Sequence, residues 1–371
     1  MKNTFGDNIT LTVFGESHGS AIGVIIDGLA PGITVDEEKI AYKLLLRRPS
    51  GGISTSRVEA DKFKIESGVY EGKTTGTLIT IIIPNENIKS GDYKATENLA
   101  RPAHADYTAY MKYHGFEDRR GGGHFSGRIT AGLVAAGARF NVIRLTGNLK
   151  PQFFMAARTL SRASLTAVSS DREFSDLTED VKKLVNMRFP VLSEEAGSLM
   201  QEKIMQARED KDSVGGILET AIIGVPAGLG EPYFDSIESK LSHAMFSIGG
   251  VKGIEFGKGF ALSDMQGSEA NDAFRMENGK VITETNNNGG INGGITNGMP
   301  ILFSLAVKPT PSIFRVQKTV DFVKGEDAEI ELKGRHDPCI VHRAKSVADA
   351  LSAFVIADVL TGRYGTDYLA D

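Results

Sequence analysis

Five short stretches alternate apolar and polar residues, or gather β-branched ones. They are ITLTVFG (9–15), SAIGVIIDG (20–28), TLITIIIP (77–84), LETAIIGVP (218–226) and ILFSLAVK (301–308). Such runs fit a pleated, half-buried surface, so each predicts a strand. Four other segments repeat apolar residues three and four apart, which predicts helices. In 36–47 the face is Ile40, Leu44 and Leu45; in 195–210 it is Ala196, Leu199, Met200, Ile204 and Ala207. In 235–246 it is Ile237, Leu241 and Met245, and in 342–361 it is Val347, Leu351, Phe354 and Val355. Thr34 with Glu37, and Asp235 with Glu238, have the spacing of helix-starting capping boxes.

Two stretches share one pattern. IGVIIDGLAPGITVDEEKIAYKLLL (22–46) and AIIGVPAGLGEPYFDSIESKLSHAMF (221–246) both read strand, Gly/Pro turn, acidic cap, helix. An internal duplication follows as an expectation. Strands do not alternate regularly with helices, so the fold class expected is α+β, a mixed sandwich, and not a doubly wound parallel sheet.

Composition narrows the function classes. The 371 residues are 41% hydrophobic and 24% charged, ordinary for a globular chain. A net charge of -5 argues against a nucleic-acid partner, so an anionic ligand would need a local arginine cluster. One cysteine, Cys339, excludes an internal disulfide. No apolar run is long enough to span a bilayer, so no membrane association is expected. The N-terminus lacks a signal-peptide core, and a cytoplasmic location is expected. The 42 glycines sit in small groups at turn-like boundaries, with no linker-like joint, which predicts one domain over 1–371.

Four polar stretches are unlike core. FGESHG (14–19) ends a predicted strand; His18 is either a satisfied turn histidine or a general acid. In RPAHADYT (101–108), Asp106 stands two positions after His104, where it could raise the imidazole pKa or hold its tautomer. In RGGGHFSGR (120–128), Ser126 is a candidate cap for a helix through ITAGLVAAGARF, and the glycines would admit a close anion at that helix start. The stretch is neither a Walker A loop nor a dinucleotide fingerprint. KGRHDPCIVHRA (333–344) sets Arg335, His336, Asp337, His342 and Arg343 before a helix, either as a surface ion-pair cluster or as an anion site with a proton acceptor. NNNGGINGGITNGMP (286–300) adds glycine turns, and Lys308 follows the last predicted strand. Scattered histidines and no HExxH give no metal site.

Taken in order, GESHG, LLRRPSGG, SGVYEGKTTGT, RPAHADYT, RGGGHFSGR, GVPAGLGEP, GGINGGITNG, KPT and GRHDPC resemble the chorismate synthase family over nearly the whole length. The resemblance implies a β-α-β sandwich with internal pseudo-twofold duplication, assembled as a homotetramer. It implies a carbon–oxygen lyase that eliminates phosphate from 5-enolpyruvylshikimate-3-phosphate to give chorismate, the last step of the shikimate pathway. The reaction requires reduced FMN with no net redox change. Some members reduce their flavin with NADPH; no nicotinamide fingerprint is visible here, so an outside source of reduced flavin is expected.

By the same resemblance, His18 would assist phosphate departure, His104 would tune or protonate the flavin, and Asp337 would relay a proton. Ser17, Arg47, Arg48, Arg57, Arg128, Arg335 and Arg343 would hold substrate oxyanions. Flavin contacts would fall on His124, Phe125, Ser126, Gly249, Gly250, Gly293, Lys308, Pro309, Thr310, Pro311, Ser312 and Arg335. Against the commoner family form, His124 stands for an arginine, Phe125 for a serine and Ile129 for a glutamate. Ile53 stands for another arginine, for which Arg57 is a candidate substitute. Phe125 would therefore contact a ligand through backbone or ring.

Overall fold

A computed structural model describes residues 2–49, 51–55, 60–86, 97–140, 152–158, 177, 180, 183–332, 334 and 336–370. All five predicted strands and all four predicted helices are present, with ends displaced by a few residues. Strand Ile79–Pro84 shows why the pattern was legible: Ile79, Ile81 and Ile83 are buried while Thr80 and Ile82 are partly exposed. Side chains alternate across a strand, so one face meets the helices, and each buried Ile contributes about 2 kcal/mol.

The duplication is visible in the topology. The first half contributes strands Thr10–Gly15, Ala21–Asp27, Lys64–Ser67 and Ile79–Pro84; the second contributes Gln152–Arg158, Gly216–Ile223, Val251–Phe256 and Ile301–Val307. Counted along the chain, both antiparallel sheets have the order first, second, fourth, third. A helix follows the second strand in each half, Glu37–Arg47 and Ile237–Met245. A further helix closes each half after the fourth, Thr130–Phe140 and Val341–Tyr364. The short strand Thr4–Phe5 extends the first sheet.

The two closing helices form the middle layer. Thr130–Phe140 lies on strands Ala21–Asp27 and Ile79–Pro84, and Val341–Tyr364 lies on Gln152–Arg158 and Gly216–Ile223. The helices pack against each other, and one hydrophobic cluster runs through both halves. The sequence pattern shows one apolar face on the last helix, but it is buried nearly all round, including Ser346, Asp349, Ser352 and Asp358. Small Ala and Ser residues occupy the flanks that periodicity reads as neutral. Close approach depends on glycine: a Cβ on Gly137 would fall 2.2 Å from Ala350 Cβ, and one on Gly132 would fall 3.0 Å from the Gly23 carbonyl.

Two cap expectations are corrected by one position or two. Asp36, not Thr34, caps Glu37–Arg47, accepting from the Lys39 N–H at 2.9 Å. Thr34 is drawn into a bridge with Lys73 after the Pro31-Gly32 turn. Ser236, not Asp235, caps Ile237–Met245, because Asp235 ends a preceding 3-10 turn. Among the described residues, no helix is long and apolar enough to cross a membrane.

Candidate functional site

The duplicated topology brings corresponding loops together. In each half, described residues between the fourth strand and the closing helix, within 97–129 and within 308–312 and 336–340, line one cavity of about 930 Å³. Arg47, the last residue of helix Glu37–Arg47, enters it beside Arg128, which lies in the 3-10 turn Gly127–Ile129 leading into Thr130–Phe140. Ser126 caps that turn, accepting from the Arg128 N–H, which places the expected cap one short element before the helix.

Both guanidinium groups are held from several sides. Arg47 Nη2 donates to the Gly127 carbonyl at 2.6 Å and its Nε to Thr130 Oγ1 at 3.0 Å. Arg128 Nε donates to Asn85 Oδ1 at 3.0 Å and its Nη2 to the Pro84 carbonyl at 3.2 Å. At their centre is Asp61, a carboxylate that sequence reading missed. Its Oδ1 pairs with Arg128 Nη1, and its Oδ2 lies 3.6 Å from Arg47 Nη1 and 3.8 Å from Arg48 Nε. The side chain is 1% exposed. No motif marks Asp61; only the fold brings a lone acid among three arginines.

Asp337 faces the cavity from the other half. It accepts the Thr55 N–H at 2.8 Å and pairs with Arg343, whose Nε donates to the Arg47 carbonyl at 3.2 Å. Next to it, Ser54 Oγ and His342 Nε2 are 2.8 Å apart and both residues are buried. Burial pushes the His342 pKa down to about 4, against a smaller upward pull from Asp337. The 51–55 segment is thereby tied to the start of the last helix. His342 belongs to the polar stretch singled out from sequence, whereas Ser54 and Thr55 carried no sequence signal beyond being polar.

His104 differs from its sequence reading. Asp106 does not hold it: that carboxylate accepts from the Arg101 backbone N–H at 2.9 Å and from the Arg101 guanidinium at 2.8 and 2.6 Å. Instead His104 Nε2 is 2.6 Å from Ser312 Oγ. Burial, then the Arg101 charge, lowers the His104 pKa to about 4, outweighing the upward pull of Asp106. The imidazole is neutral near pH 7. Lys308 reaches across to donate to the Ala103 carbonyl at 2.7 Å, which ties the two corresponding loops together.

The glycine run has a steric reason. Gly121, Gly122 and Gly123 all have positive φ, at 67°, 126° and 53°. A Cβ on Gly121 would fall 2.1 Å from His18 Cε1. His18 packs behind the loop, with Ser17 Oγ 3.1 Å from its Nδ1 and the Ser17 N–H donating to the Gly123 carbonyl. His124 Nδ1 donates to the Gly15 carbonyl at 2.8 Å, which sets its tautomer. Phe125 is half exposed at the cavity wall, with its ring edge-on to Tyr113 at 6.1 Å.

Of the residues singled out from sequence, Arg47, His104, the 124–126 and 308–312 segments, Arg128, Gly249, Gly250, Asp337 and Arg343 line the cavity. Ser17, His18, Arg48 and Gly293 do not. Ser17 and His18 sit behind Gly121, and Arg48 touches the site only through Asp61. Gly293 forms the turn between strands Ile291–Asn292 and Ile295–Thr296. Arg57 and Arg335 lie outside the described residues.

Comparison with known proteins gives one answer. The family model described as chorismate synthase matches residues 9–361. A chorismate synthase of Thermococcus kodakarensis is 42% identical over 361 residues, covering 96% of this chain and 97% of that one. One of Methanosarcina mazei is 45% identical over 365 residues, covering 96% and 95%. A crystal structure of chorismate synthase superposes with a TM-score of 0.76 at 27% identity, covering 98% of this chain and 94% of that one. With a shared cavity at the meeting of two duplicated halves, and relatives alike from end to end, this chain belongs to the chorismate synthase family.

Proposed function

We propose that the cavity between the two halves, acting as one catalytic domain over 1–371, is where the chain eliminates phosphate from 5-enolpyruvylshikimate-3-phosphate to form chorismate. The observation that carries this reading is the convergence of Arg47, Arg128, His104, Asp337 and Arg343 on one cavity of about 930 Å³. Small-molecule sites span roughly 300–1,000 Å³, and this volume stands near the upper end of that range.

The residues present fit reduced FMN. Gly249 and Gly250 line the wall, and open space lies where a Gly249 Cβ would point. Lys308 and Ser312 offer donors to a phosphate, and the exposed Phe125 ring offers an apolar face. Held by these residues, reduced FMN would supply transient electron density for breaking the carbon–oxygen bond to phosphate, with no net redox change.

The protein's own part is electrostatic and geometric. Anchored guanidinium groups match carboxylate and phosphate oxygens two at a time and need little reorganisation. Neutral His104, hydrogen-bonded to Ser312, can donate or accept at Nε2. Asp337 holds a proton-accepting oxygen at the wall, oriented by Thr55 and Arg343. His18, packed directly behind Gly121 at the cavity wall, would assist phosphate departure, as the family resemblance implies. In the homotetramer we infer, Phe116, Tyr233, Phe234 and Phe260, each more than four-fifths exposed, are candidates for burial. We infer a cytoplasmic setting, since a chain with the single cysteine Cys339 forms no internal disulfide of the kind common in extracellular domains.

One anaerobic assay tests the function: chorismate formation from 5-enolpyruvylshikimate-3-phosphate with dithionite-reduced FMN, or with FMN and NADPH. Turnover is expected with chemically reduced FMN. Ligand binding without product under those conditions would reduce the cavity to an anion-binding scaffold, and product with NADPH alone would add a flavin reductase activity.

A further inference from the structure

Asp61 has no role in the account so far, yet it is the most enclosed charge at the site. It takes a left-handed backbone conformation, φ 47°, which is uncommon outside glycine. Three guanidinium groups face this one carboxylate, those of Arg47 and Arg128 buried and that of Arg48 about a quarter exposed. The cluster is also one hydrogen bond short on both sides. Asp61 Oδ2 and Arg48 Nε are both buried, and neither makes a hydrogen bond among the described residues. The two atoms face each other at 3.8 Å, an ion pair without a hydrogen bond, so the carboxylate is held by charge more than by direct bonding on that side.

We propose that Asp61 is an internal counter-anion that competes with substrate oxygens for Arg47 and Arg128, and so holds phosphate affinity down to a level at which the released phosphate can leave. The inference rests on the reading that these arginines bind the substrate's oxyanions. A reaction that liberates inorganic phosphate into an arginine-lined cavity faces tight product binding. A fixed carboxylate within the cluster offsets that attraction without removing the donors that orient the substrate. Asp61 lines the cavity with Arg47 and Arg128, so its charge acts directly on anything bound there.

The test is inorganic phosphate binding to the full chain by calorimetry, with FMN present, at fixed ionic strength. Removing one charge within about 6 Å of a bound dianion, at an effective dielectric of about 20, should tighten binding of phosphate to Asp61→Asn at least about tenfold. Turnover should fall while the substrate KM falls with it, a split that loss of structure would not produce. Unchanged or weaker phosphate binding in folded Asp61→Asn overturns the proposal. If that variant does not fold, Asp61→Asn combined with Arg48→Gln restores the net charge of the cluster. It should fold and bind phosphate within about threefold of the parent protein; a larger loss overturns the proposal. Arg47→Gln separates the two readings. If it leaves phosphate affinity unchanged, the arginines are not the oxyanion site and the premise fails. If it weakens binding while Asp61→Asn does not tighten it, only the counter-anion role fails.

Discussion

Two helix-interior glycines should respond to alanine in opposite directions. Gly197 lies within helix Glu194–Glu209, where an added Cβ would meet only Val191 side-chain atoms at 3.8 and 3.9 Å. Helix propensity then acts alone, and Gly197→Ala should stabilise by about 0.5–1 kcal/mol. Gly137 has the same propensity gain available, but its Cβ would fall 2.2, 2.3 and 2.8 Å from Ala350 Cβ, Cα and carbonyl carbon. Relieving those contacts requires the two central helices to part by roughly an ångström or more, since carbon atoms pack at about 3.5–4.0 Å. Overpacking of this kind costs about 1–3 kcal/mol, and backbone atoms cannot rotate aside, so the upper end applies. The net expectation for Gly137→Ala is a loss of about 2 kcal/mol. The same displacement separates the helix starts that carry Arg128 and Arg343, so turnover should fall as well. Urea unfolding midpoints for both variants, with chorismate turnover alongside, make the comparison. A Gly137→Ala variant as stable as the parent, with full turnover, would refute the packed middle layer.

Two further outcomes follow from the site. Because burial lowers the His342 pKa to about 4, the native state resists a proton that the unfolded chain accepts at its ordinary value near 6.5. Its contribution to stability is complete above about pH 6.5 and is lost as pH falls toward 4, at up to about 1.4 kcal/mol per pH unit. Urea midpoints between pH 7 and 5 should therefore fall less steeply in His342→Gln, and equal slopes would contradict the burial. Asp337→Asn removes the Arg343 ion pair and the charge that the Thr55 N–H supports. Turnover should fall by about a hundredfold or more while flavin binding, followed by fluorescence, persists; simple unfolding would leave Asp337 without a chemical role.

Local pattern made the elements readable. Alternation in 301–308 and helical spacing in 195–210 are properties of neighbours in sequence, and both elements formed, although Leu199 of the predicted helix face is exposed. Strand Val251–Phe256 was missed because Gly253 interrupts VKGIEF, and helix Asp106–Tyr113 because only Ala109 of its eight residues is buried. The segments that carry chemistry were legible as glycine-rich and polar, and resemblance supplied their roles. Which of them meet was another matter: Arg47, Arg128 and Asp337 share a wall, while Ser17 and His18 lie behind Gly121.

The chain's own order of residues thus determined the strands, the helices, the duplication and the polar stretches, since each depends on contacts a few positions apart. Tertiary structure alone decided that Asp61 would stand among three arginines, that His104 would bond Ser312 and not Asp106, and that two helices would cross at Gly137 and Ala350. Charge balance, burial and steric contact are sums over groups 13 to 213 positions apart, and no one local window contains all of those terms until the fold brings the groups together.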